Sequence, residues 1–250
     1  MKKLGLLLIV FMLGITLSAC QPINTDYSVD EAFGLMNDAI QNYLEAESFM
    51  ATFQGSYESE NYNSSDLIEV RFRNIGKSNF LGRVELLISE NSTSYQGLQF
   101  YQAGVLYNQK IDSSNTERVR FVEGPEKYLS LYTSYLKKQV DQSKTRAVTI
   151  LIDSKQVTVN FELSSSEVEA TFFVSNVFTT VRSAKASITF THDLKLISMN
   201  VEYIALIQGM EGIERYQVDF SRFNQYVTIK ELSNAEKALF ILREVNEANE

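Results

Sequence analysis

The residue with the most definite chemistry in this sequence is its only cysteine, Cys20. It directly follows Leu17, Ser18 and Ala19, and this Leu-Ser-Ala-Cys order is typical of a lipobox. In a lipobox the cysteine thiol is the nucleophile on which a diacylglyceryl group is built. Cleavage between Ala19 and Cys20 then leaves the lipid-bearing cysteine at the start of the mature chain. The sequence therefore predicts a lipid anchor with acyl chains such as palmitate.

The residues before Cys20 support this interpretation. Lys2 and Lys3 form a short positive region, and an apolar run extends from Leu4 to Leu17. Spanning a hydrocarbon core of ~30 Å takes about 20 apolar residues, so this run is too short and fits a signal peptide. We predict a signal peptide at 1–19, a lipidated cysteine with a polar tether at 20–27, and one domain at 28–250.

Catalytic groups are scarce. His192 is the only histidine and stands beside Asp193 in a predicted hairpin turn, and no Gly-x-Ser-x-Gly motif presents a nucleophile. One histidine cannot form the usual zinc site, and no glycine-rich nucleotide motif occurs. We expect that the protein is not an enzyme and that it binds neither a metal ion nor a cofactor. The sequence leaves one catalytic alternative open, a glycosidase-like pair of carboxylates, because acidic residues are numerous.

The net charge narrows the choice of partner. The chain has 23 Lys and Arg against 31 Asp and Glu, and loss of Lys2 and Lys3 with the signal peptide leaves 21 bases, a net charge of −10. Such a charge disfavours nucleic acid and anionic lipid surfaces. Membrane attachment is then expected through the acyl chains on Cys20, each buried CH₂ contributing ~0.8 kcal/mol.

The elements that carry these residues can be predicted from hydrophobic spacing. Ser28 and Glu31 form a capping box ahead of an amphipathic helix that ends near Glu45. Alternating strands follow, and Gly124-Pro125 starts a second helix. Capping boxes at Ser164/Glu167 and Ser233/Glu236 predict a third helix through Val181 and a terminal helix to about Val245, with a short strand at Tyr226–Lys230 before the last box.

The predicted fold class is α+β. Around ten strands, each with one apolar and one charged face, form an antiparallel sheet of which one side contacts water. A long twisted sheet curls as it grows, so we expect a large curved antiparallel sheet, an open half-barrel, packed against about four helices.

This layout resembles the LolA/LppX-like lipoproteins. The resemblance lies in the lipobox at Cys20, in the amphipathic helix that leads through Glu47-Ser48-Phe49 into a long strand meander, and in helices that interrupt the strands after Phe121. It implies a half-barrel closed by helices, with an apolar cavity that binds lipids, acylated proteins or lipoglycans. The chain departs from a LolA carrier by having its own anchor. Its extra terminal helix could fill the opening that a ligand would use.

The aromatic residues, 16 Phe and 13 Tyr, predict either a packed core or the lining of a cleft. The candidate lining consists of inward strand and helix positions, namely Val70, Phe72, Leu86, Ile88, Val159, Phe161, Phe173, Met199 and Tyr203. Tyr128, Tyr132 and Tyr135 form a stripe on the second helix and are a candidate lid, since tyrosine suits an apolar pocket that meets water. A plain amphipathic helix docked on the sheet is the competing interpretation.

Two functions stay open from the sequence. One is an extracytoplasmic lipoprotein, anchored to the bacterial membrane, that binds a lipid or other apolar ligand between sheet and helices. The other is a non-enzymatic structural or interaction lipoprotein with a packed core that displays a surface to a protein partner. Both place the domain close to the bilayer, because only Gln21 to Tyr27 separate Cys20 from the first helix.

Overall fold

The structure is a computed structural model that describes residues 26–243, except 61, 92, 134–135, 137, 173–179 and 208–209. The signal peptide, the lipobox residues Leu17, Ser18 and Ala19, and Cys20 lie outside the described residues, so the predicted anchor stays a prediction. The described part of the chain contains no helix that is both long and apolar enough to span a membrane.

Twelve strands of the described chain form one open sheet in the order β12-β6-β5-β4-β3-β2-β1-β11-β10-β9-β8-β7. Neighbouring strands are antiparallel, except that β12 runs parallel to β6. The strands are β1 Ser48–Ser59, β2 Asn63–Arg73, β3 Leu81–Glu90, β4 Thr93–Gln102, β5 Val105–Ile111, β6 Thr116–Val122, β7 Thr145–Ile152, β8 Gln156–Ser164, β9 Thr180–Thr191, β10 Leu196–Ile207, β11 Met210–Ser221 and β12 Ile241–Leu242. The prediction of a large antiparallel half-barrel is confirmed.

Four α-helices accompany the sheet in the described chain: α1 Val29–Leu44, α2 Pro125–Thr133, α3 Ser165–Thr171 and α4 Asn234–Lys237. The predicted capping box of α1 is present, since the Ser28 hydroxyl accepts from the Glu31 N–H and the Glu31 carboxylate accepts from the Ser28 N–H. The apolar stripe of α1 is buried against the sheet, with Phe33 5.8 Å from Phe161 between ring centres. We call the sheet face that α1 and α2 cover the inner face, and the opposite one the outer face.

The predicted third helix is too long. Helix α3 ends at Thr171, and Val181 is a buried residue of strand β9. The Ser164 side chain makes no capping hydrogen bond. Residues around Val181 are rich in aromatic and β-branched side chains, which pack in a strand at least as well as in a helix. The apolar spacing therefore did not distinguish the two structures.

The predicted terminal helix to Val245 is also wrong, although its capping box at Ser233 and Glu236 is present. Helix α4 has only four residues, and the chain then pairs with β6 at Ile241–Leu242. The segment Tyr226–Lys230 is not a strand. Within the described residues, the terminal segment crosses the outer face of the sheet, so this part of it does not fill an opening on the inner face.

A second apolar cluster explains this course of the chain. On the outer face it consists of Leu81, Phe100, Tyr107, Val227, Ile229, Leu232 and Phe240. The rings of Tyr107 and Phe240 meet edge to face at 5.3 Å. The expectation of a single apolar face is therefore wrong at the β3–β6 end of the sheet, because burial of the terminal segment stabilises an apolar patch there on the outer side.

Candidate ligand-binding surface

The predicted lining residues separate into two groups. Most lie within the inner-face core and are at most 2% exposed: Val70, Phe72, Val159, Phe161, Met199 and Tyr203. Leu86 and Ile88, on the inner face of β3, are partly exposed. Phe173 lies outside the described residues. Among the predicted lining positions that are described, Leu86 and Ile88 are thus the ones a ligand can reach.

The predicted lid is only partly described. Tyr128 is fully buried and stacks on Tyr101 with ring centres 5.4 Å apart. It also lies over Gly82, where an added Cβ would come within 2.4 Å of its ring. This tyrosine therefore docks α2 on the sheet and does not meet solvent. The side chain of Tyr132 and the whole of Tyr135 lie outside the described residues.

Beside Leu86 and Ile88 the inner face carries a group of acids and tyrosines, of which the sequence analysis named only Tyr203. Strand register places Glu214 on β11 between Tyr57 on β1 and Tyr203 on β10. In the next row, Asp66 on β2 is opposite Ile88 on one side and Gly55 on the other. We call Tyr57, Asp66, Tyr203, Glu214 and Tyr216 the tyrosine–acid cluster.

Two glycines create the space for this cluster. A Cβ at Gly55 would lie 2.0 Å from the Oδ1 atom of Asp66, and a Cβ at Gly212 would lie 2.2 Å from the hydroxyl oxygen of Tyr57. A side chain at either glycine would therefore displace a polar group of the cluster. The two glycines let the carboxyl and the phenol lie flat on the inner face.

Burial raises the pKa of both acids. Removal from water raises the pKa of Glu214 to about 7, against a smaller lowering by the hydroxyl of Tyr203, and the nearby charge of Asp66 raises it further. Burial likewise raises the pKa of Asp66. A half-buried, protonatable carboxyl beside apolar side chains can bind a hydroxyl or amide group of an otherwise apolar molecule.

The sequence contained a signal for this cluster. Glu214 has the same parity as Tyr216, Val218 and Phe220, and Asp66 has the same parity as Ile68, Val70 and Phe72. Since alternate residues of a strand share one face, both acids continue an apolar face. An acid at such a position is the exception that marks a buried polar group.

The contacts of His192 indicate a structural role. Its Nε2 atom lies 2.9 Å from the carbonyl oxygen of Asp153, and its Nδ1 atom lies 3.4 Å from the hydroxyl of Tyr27. It therefore joins the turn between β9 and β10 to the turn between β7 and β8 and to Tyr27, two residues before α1. Within the described ranges, no three His, Cys, Asp or Glu side chains are placed to hold a metal ion.

No family model matches this sequence, and no sequence of a curated protein matches it. Among solved structures, the lipoprotein LppX of Mycobacterium tuberculosis matches at 11% identity over 81% of this chain and 100% of the other, with a TM-score of 0.44. LprF of Mycobacterium bovis matches at 12% identity over 82% and 99%, with a TM-score of 0.43.

A putative outer membrane lipoprotein-sorting protein domain from Vibrio parahaemolyticus matches at 10% identity over 83% of this chain and 98% of the other, with a TM-score of 0.26. The resemblance to LolA/LppX-like proteins noted from the sequence thus recurs in the comparison of structures. At these identities it concerns the layout of the chain alone.

Proposed function

We propose that this protein is an extracytoplasmic lipoprotein, anchored to a bacterial membrane through lipid on Cys20, that binds an amphipathic lipid on the inner face of its sheet. The proposal includes no enzymatic activity and no cofactor. It depends on the lipobox for location and on the inner face for the ligand.

The observation that carries the ligand proposal is the pairing of accessible apolar side chains with protonatable acids on one face. Leu86 and Ile88 are partly exposed, and Asp66 lies directly across from Ile88. An acyl chain would contact the leucine and isoleucine, while the polar end of the same molecule would reach Asp66 and Glu214. Each methylene group removed from water contributes ~0.8 kcal/mol to such binding.

The test is native mass spectrometry of the full lipidated protein, extracted gently from its own membrane. We expect a bound, non-covalent lipid on the unaltered protein. Ile88→Asn should lower the bound fraction at least about tenfold, because it places an amide in the acyl-chain site. Leu87→Asn is the matched control, since Leu87 is the adjacent residue, lies on the outer face and is 42% exposed.

Two outcomes would contradict the lipid proposal. One is an unaltered protein that never carries a lipid when its own anchor is intact. The other is an Ile88→Asn variant that is folded and retains lipid as well as Leu87→Asn does.

A second candidate function, an interaction lipoprotein with a packed core, is favoured by a different observation. Val122 on β6 and Leu242 on the adjacent strand β12 lie on the same face of the sheet and are 72% and 56% exposed. Clustered apolar side chains at a sheet edge are suited to a protein partner. In-cell crosslinking from position 242 should then recover a protein neighbour, and Val122→Ser should abolish that crosslink without loss of lipid.

A further inference from the structure

A groove of about 710 Å³ lies on the outer face, behind the strands that α1 covers on the inner side. It is lined by residues of β1 and β7 to β11. Phe161, Ala186 and Val201 contribute only backbone to the floor of the groove, because their side chains are buried on the inner face. The side chains that reach the groove are those of the alternate, outward positions.

One row of outward side chains is polar and uncharged across six strands, and all of its members except Thr149 line the groove. The cross-strand register aligns Thr149, Asn160, Ser187, Asn200, Gln217 and Gln54 from β7 to β1. We call these six residues the amide row. At about 4.8 Å between strands the row is about 24 Å long.

The amide row has side-chain hydrogen-bond donors and acceptors that are available to a ligand. Asn160 donates to Thr149 at 3.3 Å, and Gln217 donates to Asp219 at 2.8 Å. In the described part of the chain, the side chains of Gln54, Ser187 and Asn200 make no hydrogen bond with another residue. Asparagine is depleted from strands, so two asparagines in the middle of β8 and β10 favour a role other than strand formation.

The charged side chains that line the groove cancel one another, and Arg146, which extends their row on β7, lies outside the groove lining. Glu162, Lys185, Glu202 and Arg215 alternate in sign across β8 to β11, and Arg215 Nε lies 2.7 Å from Glu202 Oε2. The groove therefore has no net formal charge, in a chain whose net charge is −8. Neither a polyanion nor a polycation is attracted to such a surface.

We propose that the amide row is a binding surface for an extended, uncharged glycan. Each asparagine or glutamine side chain offers a donor and an acceptor, as the hydroxyl and acetamido groups of a sugar do. The repeat of an extended glycan is comparable with the spacing between strands, so successive sugars can meet successive strands. The row has no aromatic side chain on which a sugar could stack, so binding depends on many hydrogen bonds along a polymer.

The experiment titrates full-length lipidated protein in detergent with the hexamer of N-acetylglucosamine, and with a hexamer of galacturonate as the charged comparison. We expect the uncharged hexamer to bind and the charged one not to bind. The double variant Asn200→Thr/Gln217→Thr should bind at least about tenfold more weakly. Its melting temperature should be equal or higher, because threonine favours strands.

Gln96→Thr is the matched control, since Gln96 is an exposed outer-face residue of β4 that lies outside the groove. It should bind the hexamer as the unaltered protein does. Gln54→Thr, on the strand next to Gln217, provides a separate loss of binding should the double variant melt at a lower temperature.

The proposal is overturned if the unaltered protein does not bind the uncharged hexamer, or binds both hexamers alike. It is also overturned if the folded double variant binds as well as Gln96→Thr. The test of glycan binding is independent of the lipid proposal. Ile88→Asn changes only the inner face, so this variant should carry less lipid and still bind the uncharged hexamer.

Discussion

Glu214 is an acidic residue on the otherwise apolar, inner face of strand β11, and it defines a candidate ligand site there. Its parity places it among apolar side chains, and its two cross-strand neighbours are tyrosines. Burial of a carboxylate is unfavourable, so the folded protein retains a proton on Glu214 that the unfolded chain releases. The position therefore lowers the stability of the fold at neutral pH.

This gives a pH dependence of the free energy of unfolding. The pKa of Glu214 is raised from 4.5 to about 7 on folding, so the folded state binds more protons between those values. Stability should therefore fall as pH rises from about 4.5 to about 7, by at most about 3 kcal/mol, and then level off. Glu214→Gln should flatten this slope and raise stability at pH 8, measured by urea unfolding across pH.

The control for this prediction is Glu58→Gln, an exposed glutamate on the adjacent strand β1. It should keep the slope of the unaltered protein. A Glu214→Gln variant with the same fall in stability between pH 4.5 and 7 would contradict the assignment of the slope to Glu214.

At the scale of elements, α2 is positioned by the contact between Tyr128 and Gly82. An alanine at Gly82 would place its Cβ 2.4 Å from the Tyr128 ring and 3.1 Å from Phe72. Both rings are fully buried and cannot move aside freely. Gly82→Ala should therefore lower the free energy of unfolding by about 1–3 kcal/mol, as overpacking does in cores.

Gly34 is the matched glycine for this test. An added Cβ there meets nothing within 4 Å, and the residue is an exposed position in α1. Gly34→Ala should raise stability by about 0.5–1 kcal/mol, because alanine favours helices. Equal effects of the two substitutions in urea unfolding would argue against the docking role of Tyr128.

The terminal segment is a second element whose position depends on one aromatic contact. Phe240 is buried against Tyr107 on the outer face, whereas its neighbour Leu239 is 58% exposed. Phe240→Ala should cost about 3 kcal/mol and make the segment after Ser221 sensitive to protease. Leu239→Ala should change neither. Resistance of the Phe240→Ala protein to limited proteolysis would show that other contacts hold the segment.

At the scale of the whole molecule, the anchor and the charge act together. A chain with net charge −10 after cleavage has no electrostatic attraction to an anionic bilayer, so lipid on Cys20 is the expected attachment. Cys20→Ser should abolish incorporation of labelled palmitate and leave the precursor uncleaved, measured by metabolic labelling and by mass. A Cys20→Ser protein that still carries labelled acyl chains would contradict this prediction.

Much of the fold was predictable because strands with one charged face have a clear period of two. The start of α1 at Ser28 and the start of α2 at Pro125 were also predictable, since capping boxes and proline act locally. The ends of α3 and α4 were not, because Val181 and Phe240 are apolar residues that a helix, a strand or a surface segment can bury equally well. Their location depends on partners distant in the sequence.

The sequence by itself determined the local structure of this protein, namely the helix starts and the alternation that makes a half-barrel, and it predicts the lipobox at Cys20. Only the tertiary structure decided which apolar side chains are buried by neighbouring elements and which stay accessible. Tyr128 is buried and Leu86 is accessible, although both have apolar-face spacing. The physical reason is that a strand's period assigns a face, whereas packing against other elements and cross-strand register decide what covers that face. The amide row on β7 to β1 exists only through that register, since its members are scattered between residues 54 and 217.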